Sequence, residues 1–60
     1  GPTLSWASDN GAAYRIAYKD RLDDPEWTYL PGTVTSAGTT TSWTDTAKKS
    51  QRFYMIIRVQ

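Results

Sequence analysis

The sequence contains neither cysteine nor histidine. Without cysteine there is no disulfide, no thiol nucleophile and no thiolate ligand, and without histidine the commonest general base and transition-metal ligand are also missing. Catalysis would have to depend on carboxylates, and 60 residues are too few to build the walls of a water-excluding cleft. We therefore predict that the chain is not an enzyme and holds no cofactor or metal.

The chain also lacks a long apolar run and a cluster of basic residues. No stretch approaches the ~20 apolar residues that a membrane-spanning helix needs. Seven Lys and Arg are spread along the chain against six Asp and Glu, for a net charge of +1, whereas a nucleic-acid-binding face needs clustered positive charge. Neither a membrane nor nucleic acid is an expected partner. Gly1-Pro2 has the form of a scar left by removal of an expression tag, which leaves residues 3–60 as a single module.

Large apolar side chains that alternate with polar ones predict about five short strands. These strands are centred on Trp6, on Ile16, on the segment 27–35, on Trp43 and on the segment 52–59. Turn-forming residues separate them at 8–11, 20–26 and 36–38. A chain of this kind, with no amphipathic helix, is expected to be all-β, as a small antiparallel β-sandwich or barrel.

Three local features refine this prediction. The segment 27–35 is expected to be an edge strand with a bulge or kink at Pro31-Gly32, because proline cannot donate to the ladder. Asp45 or Thr46 is positioned to cap a helical turn over 47–49. The last strand is apolar on both faces, which predicts that it is central or that one of its faces meets a partner.

Aromatic residues provide the first candidate site. Sugar rings present apolar C–H faces that stack on flat aromatic rings. Trp6, Tyr14 and Tyr54 are expected to be needed for the core, which leaves three candidates for polysaccharide binding: Trp27, Tyr29 and Trp43. Trp27 and Tyr29 share one face of the predicted edge strand and would form a two-ring platform on the solvent side. The alternative is that they only cover the margin of the core.

The last strand provides the second candidate site. Met55, Ile57 and Val59 could form an interaction edge that pairs with a neighbouring domain or with a second copy of the chain. The alternative is that nearby cations protect this edge, namely Lys19, Arg52 and Arg58.

An acidic loop is the third candidate. Asp20, Asp23, Asp24 and Glu26 could supply oxygen ligands to calcium. The plainer interpretation is a solvated turn between two strands.

Five segments, taken in order, are similar to strands of one known family. They are Leu4-Ser5-Trp6, the run Tyr14-Arg15-Ile16-Ala17-Tyr18-Lys19, Trp27, Thr41-Ser42-Trp43-Thr44, and Tyr54 at the spacing of a tyrosine corner. Together they resemble the fibronectin type III family from Leu4 to Val59. The chain departs from it at Lys48, where the corner usually has leucine, and at Asp45, where an apolar residue is usual. The first and last strands of the family have no counterpart.

The resemblance implies a fibronectin type III or immunoglobulin-like sandwich that lacks its outer strands. Modules of this kind occur in large secreted bacterial proteins, many of them polysaccharide-active, which implies an extracellular or cell-surface location. The function expected on this basis is a non-catalytic accessory module that binds polysaccharide weakly through Trp27, Tyr29 and Trp43. The alternative is a spacer or protein-interaction module that uses the last strand.

Overall fold

The computed structural model describes residues 1–49 and 51–59 and contains only antiparallel strands, with no helix in these two ranges. The strands are β1 (Thr3–Ala7), β2 (Ala13–Lys19), β3 (Thr28–Tyr29), β4 (Val34–Thr35), β5 (Thr40–Thr44) and β6 (Phe53–Arg58). The all-β prediction is confirmed. Within the described ranges, no helix is long and apolar enough to cross a membrane.

The strands form a two-stranded and a four-stranded sheet. In the smaller sheet β1 pairs with β5, from Thr3 opposite Thr44 to Ala7 opposite Thr40. In the larger sheet β2 is central, with β6 on one side and both β3 and β4 on the other. The predicted turn between β1 and β2 is present, and Gly11 adopts φ = +86° in it, a conformation that glycine accepts readily.

β3 and β4 are two pieces of one sheet edge. Tyr29 lies opposite Ala17 and Thr35 opposite Ala13. The two edge residues are thus six positions apart in the sequence, whereas their partners on β2 are four positions apart. The two additional residues bulge out around Pro31-Gly32, and Gly32 has φ = +80°. The predicted kink is confirmed. It divides the expected strand, which gives six strands in place of five.

The helical turn expected over 47–49 is absent, and that prediction was wrong. Asp45 does accept the N–H of Ala47, at 2.9 Å to Oδ1, so the capping contact forms without a helix behind it. The other carboxylate oxygen, Oδ2, is held by Arg52 and Tyr54. These tertiary contacts fix the direction of the chain after β5 and override its weak local helix preference.

The expectation that the last strand is central is also not met within the described ranges. Among the strands described there, β6 pairs with β2 alone. The remaining possibility, that one of its faces meets a partner, stays a prediction.

The core lies where the two sheets contact each other. Trp6 of β1 packs edge-on against Tyr14 of β2, with ring centroids 5.8 Å apart, and Trp43 of β5 packs in the same way against Tyr54 of β6 at 6.2 Å. Tyr14 and Ile16 are buried, while the other three rings are half-buried. The side chains on this side of β2 therefore face the smaller sheet.

Candidate functional site

The side of the four-stranded sheet that is turned away from β1 and β5 carries both apolar and basic side chains. Successive residues of a strand point to opposite sides, so Arg15, Ala17 and Lys19 lie on this side, opposite to the core. Cross-strand neighbours on β6 and on the β3 edge complete the surface. We call it the outer face, and its residues are Arg15, Ala17, Lys19, Trp27, Tyr29, Phe53, Met55 and Ile57.

Ala17 is the centre of the outer face. It lies directly between Tyr29 of β3 and Met55 of β6. Although it is on the outer side of the sheet, it is 0% exposed, whereas Tyr29 is 48% exposed. The larger side chains around it therefore cover Ala17 completely and form one surface across the three strands.

Two cations lie against the aromatic rings of this face. The Arg15 guanidinium carbon is 4.9 Å from the centroid of the Tyr29 ring, and Lys19 Nζ is 4.6 Å from that of Trp27. Arg15 also donates to the carbonyl of Leu30 at 3.1 Å, and Lys19 to that of Asp24 at 2.9 Å. These contacts hold the edge and its preceding loop against β2, and each places a cation against one ring.

The structure separates the three rings that were candidates for polysaccharide binding. Trp27 and Tyr29 lie together on the outer face. Trp43 lies on the other sheet, edge-on to Tyr54, and faces the core. A single flat platform made of all three rings is therefore not formed.

The second candidate site adjoins the first. Met55 and Ile57 lie opposite Ala17 and Arg15, so they extend the same face on which Trp27 and Tyr29 lie. Val59 follows β6, is 48% exposed, and donates its N–H to the carbonyl of Ala13. The aromatic surface and the last-strand edge, which the sequence suggested as separate candidate sites, are thus parts of the same outer face.

Four residues of the outer face were not among the candidate site residues of the sequence: Arg15, Ala17, Lys19 and Phe53. The period-two pattern does put Phe53 on the same side as Met55. Only the register between β2 and its neighbours brings Phe53 opposite Lys19 and Arg15 opposite Ile57, and no local signal in the sequence specifies that register.

A cleft of ≈ 290 Å³ opens between the sheets next to the bulge. Its walls are Trp43, Tyr14, Ile16 and residues 30–34, all of them uncharged. Its volume is close to the lower limit of small-molecule pockets. The cleft is thus a gap in the packing of the core, with Trp43 in its wall.

At one end of the sheets, Arg52 is held by a group that we call the Asp45 cluster, which comprises Tyr18, Asp20, Asp45, Arg52 and Tyr54. Arg52 donates to Asp20 at 2.9 Å and to Asp45 at 3.3 Å, and lies 3.7 Å over the Tyr18 ring. The Tyr54 hydroxyl donates to the Asp45 carboxylate. The side chains of Arg52 and Asp45 are 8% and 7% exposed, whereas that of Asp20 is 45% exposed, so the Arg52–Asp45 pair is the part of the cluster that is screened from water.

The protonation states of Asp45 and Tyr54 are fixed over a wide range of pH. The hydrogen bonds from Tyr54 and from the Ala47 N–H, together with the charge of Arg52, lower the pKa of Asp45. Burial and the hydrogen bond to Asp45 raise the pKa of Tyr54 to about 12. Asp45 is therefore ionised and Tyr54 protonated at neutral pH, which suits a structural role and provides no acid or base near pH 7.

Three carboxylates of the acidic loop make separate contacts. Asp20 binds Arg52, Asp23 lies 3.5 Å from the exposed Arg21, and Asp24 accepts the N–H of Glu26. Among the residues described, no group of three or more side chains is arranged to hold a metal ion.

The features on which a functional assignment can rest are the outer face with its stacked cations, the uncharged cleft and the Asp45 cluster. In comparisons with family models, with curated proteins and with solved structures, nothing matches this chain.

Proposed function

We propose that the chain is a fibronectin type III-like β-sandwich module, a non-catalytic accessory unit of a larger secreted protein, and that it binds a protein partner through its outer face. The observation that carries the proposal is the row Tyr29, Ala17, Met55, which joins the aromatic edge and the aliphatic strand β6 into one continuous surface, with Tyr29 exposed and Met55 half-buried.

Strand pairing supports the sandwich. In immunoglobulin-like folds the second strand pairs with the fifth in one sheet, and the third pairs with the sixth in the other. If β1 corresponds to the second strand, the observed pairs β1 with β5 and β2 with β6 follow this arrangement. Trp6 lies between the sheets, as the resemblance implies for the tryptophan of this strand.

The environment of Tyr54 is a variant of the tyrosine corner. In that motif a tyrosine near the start of the sixth strand donates to the backbone a few residues upstream. Tyr54 occupies this place in β6 but donates to the side chain of Asp45. Tyr54 thus connects β6 to the segment that crosses between the sheets after β5, through a buried carboxylate in place of a backbone carbonyl.

The composition of the outer face favours a protein partner. Cores of protein interfaces are enriched in Trp, Tyr, Phe, Met and Arg, and five side chains of these types lie on this face: Arg15, Trp27, Tyr29, Phe53 and Met55. Contiguous apolar patches on the surface of a small domain mark interaction sites. Aromatic and aliphatic side chains side by side suit the side chains of another protein.

The same geometry makes polysaccharide the second candidate. It is favoured by Trp27 and Tyr29, which share one face two residues apart. Against it, a cation already lies against each ring, and Trp43 is on the other sheet. A sugar would have to stack on the remaining ring faces or displace Lys19 and Arg15.

Selection from a random peptide library tests the proposal. Peptides that bind the ¹⁵N-labelled module are titrated into it, and their contact surface is mapped from amide shifts. We expect the shifts at Ala17, Tyr29 and Met55, and we expect Tyr29→Ala to weaken binding by about tenfold or more, as for an interface anchor. Ser42→Ala is the matched control, because Ser42 is an exposed residue on the other sheet, and it is expected to leave binding unchanged.

A panel of soluble and insoluble glycans is added in a parallel titration. If a glycan shifts the ring signals of Trp27 and Tyr29 and no selected peptide binds the outer face, polysaccharide replaces protein as the proposed ligand. Peptides that bind only elsewhere, together with no glycan response, would refute both.

A further inference from the structure

We propose that the protein segment that binds the outer face is acidic, and that an Asp or Glu side chain of this segment binds the guanidinium of Arg15. Apolar side chains next to that carboxylate cover Ala17, Met55 and Ile57. This selectivity rests on the proposed function, in which the outer face binds a protein, and adds to it the chemistry of the partner.

The two charged side chains of the outer face are both basic. They are Arg15 and Lys19, and among the described residues neither forms an ion pair with a carboxylate, whereas Arg21, Arg52 and Arg58 each do. The face therefore combines apolar side chains with positive charge that the described part of the chain does not neutralise. A negatively charged partner is complementary to such a face, and charge complementarity selects partners.

Covering the apolar part of the face also removes water from Arg15. This residue is half-buried, lies directly opposite Ile57 on β6, and has its guanidinium carbon 4.9 Å from the centroid of the Tyr29 ring. A partner that packs on Tyr29, Ala17 and Ile57 therefore covers the guanidinium as well. A charge that loses its water without gaining a counter-ion is strongly unfavourable. A carboxylate of the partner provides that counter-ion.

Arg15 is also held in place for this contact. Its Nη2 donates to the carbonyl of Leu30 at 3.1 Å, and the Tyr29 ring supports the guanidinium from one side. A guanidinium has five N–H groups in a planar fork, so the bond to Leu30 leaves donors for both oxygens of a carboxylate. Because the side chain is already ordered, binding costs little further conformational entropy.

Lys19 lies at the other end of the face, where the acidic loop offsets its charge. It is four residues from Arg15 along β2, or about 13 Å, so one carboxylate does not reach both. Its Nζ donates to the carbonyl of Asp24, and Glu26 follows in the same loop. The carboxylates of Asp24 and Glu26 oppose a further anion at this end. Arg15 is therefore the residue that we expect to bind the carboxylate of the partner.

Peptide selection on the unaltered chain tests the charge of the partner. We expect the peptides that bind the outer face to carry an Asp or Glu beside apolar residues. Replacing that Asp by Asn, or that Glu by Gln, should weaken binding by about tenfold in calorimetric titration, as expected for loss of a charge-assisted pair. Raising NaCl from ~50 mM to ~500 mM should weaken binding of the acidic peptide and leave that of the neutral peptide unchanged.

Arg15→Gln identifies the residue that binds the carboxylate. On this variant the acidic and the neutral peptide should bind equally, within about twofold, whereas on the unaltered chain they differ by about tenfold. Lys48→Gln is the matched control, because it removes one positive charge from an exposed residue outside the outer face, and the acidic peptide should keep its advantage there.

A direct measurement on the unaltered chain does not depend on the folding of the variant. The Nε–H signal of Arg15 should shift when the acidic peptide is added and should stay in place with the neutral peptide. Circular dichroism and amide shifts verify that Arg15→Gln is folded, because Arg15 also binds the carbonyl of Leu30.

The proposal is overturned if the peptides that bind the outer face are neutral or basic, if the acidic peptide keeps its advantage on folded Arg15→Gln, or if the Nε–H signal of Arg15 does not respond. Each of these results leaves the proposed function in place, because a protein segment still binds the face. Peptides that bind only elsewhere would remove both. Binding of an acidic glycan, such as polygalacturonate, at Arg15 and Tyr29 without any such peptide would replace the protein by a polysaccharide and overturn both as well.

Discussion

Arg52 is held by groups from three parts of the chain. It lies over Tyr18 at the end of β2, binds Asp20 just beyond that strand, and binds Asp45 after β5. A buried charge is tolerated only when its hydrogen bonds are satisfied, and here two carboxylates and one ring do so. The loop that leads from β5 to β6 is thereby fixed to both sheets.

Replacing Asp45 by Asn tests this role. The variant keeps an acceptor for the Ala47 N–H but removes the charge that binds Arg52 and Tyr54. We expect the free energy of unfolding to fall by about 2–3 kcal/mol, as measured by urea denaturation. Asp23→Asn is the control, because the Arg21–Asp23 pair is exposed on both sides, and it should change stability by less than ~0.5 kcal/mol. Equal effects in the two variants would contradict the role of the cluster.

The same residues predict how stability depends on pH. The pKa of Asp45 is lower in the folded chain than its ordinary value of 3.8, so its contribution is complete above that value and is lost as the pH falls below it. The pKa of Tyr54 is raised from 10.0 to about 12, so its protonated form stabilises the fold and stability declines between these values. Urea midpoints measured from pH 2 to pH 12 should form a plateau bounded by these two declines, and in Tyr54→Phe the alkaline decline should be smaller.

The edge made of β3 and β4 shows how one element is interrupted. Pro31 cannot donate to the ladder, and Gly32 takes φ = +80° so that the chain can bulge out and return to β2. The bulge also provides one wall of the cleft between the sheets. A short, broken edge of this kind resists pairing with other chains.

Substituting Gly32 by Ala is expected to destabilise the chain by about 1 kcal/mol, because the left-handed conformation is unfavourable for any residue with a Cβ. Gly38 provides a matched control. A Cβ there would meet no atom within 4 Å, and its φ lies outside the left-handed region. Gly38→Ala should therefore be neutral or slightly stabilising by thermal denaturation. The opposite order of the two melting temperatures would show that the bulge does not need glycine.

At the scale of the whole molecule, the core is small for the number of large side chains. Among the described residues, no large side chain is less than 2% exposed. The buried apolar residues are Ala12, Tyr14, Ile16 and Ala17, and the last of these lies on the outer face and not between the sheets. The radius of gyration is 11.9 Å, against about 10 Å for a compact chain of this length. Both observations indicate two sheets in limited contact, with aromatic and aliphatic side chains left partly exposed.

A two-stranded sheet is not stable alone, and the larger sheet packs Tyr14 and Tyr54 against Trp6 and Trp43 of the smaller one. The two sheets are therefore expected to unfold together. Ile16→Ala removes a side chain that is 3% exposed and should cost about 2–5 kcal/mol. This is comparable to the ~3–5 kcal/mol that a core of this size supplies, so far-ultraviolet and tryptophan signals of both sheets should be lost at once. Leu22→Ala is the control, since Leu22 is 73% exposed, and it should leave the transition unchanged. A variant that retained one folded sheet would contradict a shared core.

The sequence by itself determined the strand class, the turns and the kink at Pro31-Gly32, because alternation and the backbone preferences of glycine and proline are local properties. It also placed Phe53, Met55 and Ile57 on one side of their strand. The helical turn that the local pattern predicted over 47–49 is absent, because the contacts of Asp45 determine the path of the chain there.

Only the tertiary structure decided which surfaces meet. The register of β2 with both neighbours brings Tyr29 and Met55 to either side of Ala17, and the division into two sheets removes Trp43 from Trp27. It also draws Arg52 away from the strand edge that its position in the sequence suggested it would protect. Strand pairing depends on contacts between residues far apart in the chain, which a single sequence does not encode in any local pattern.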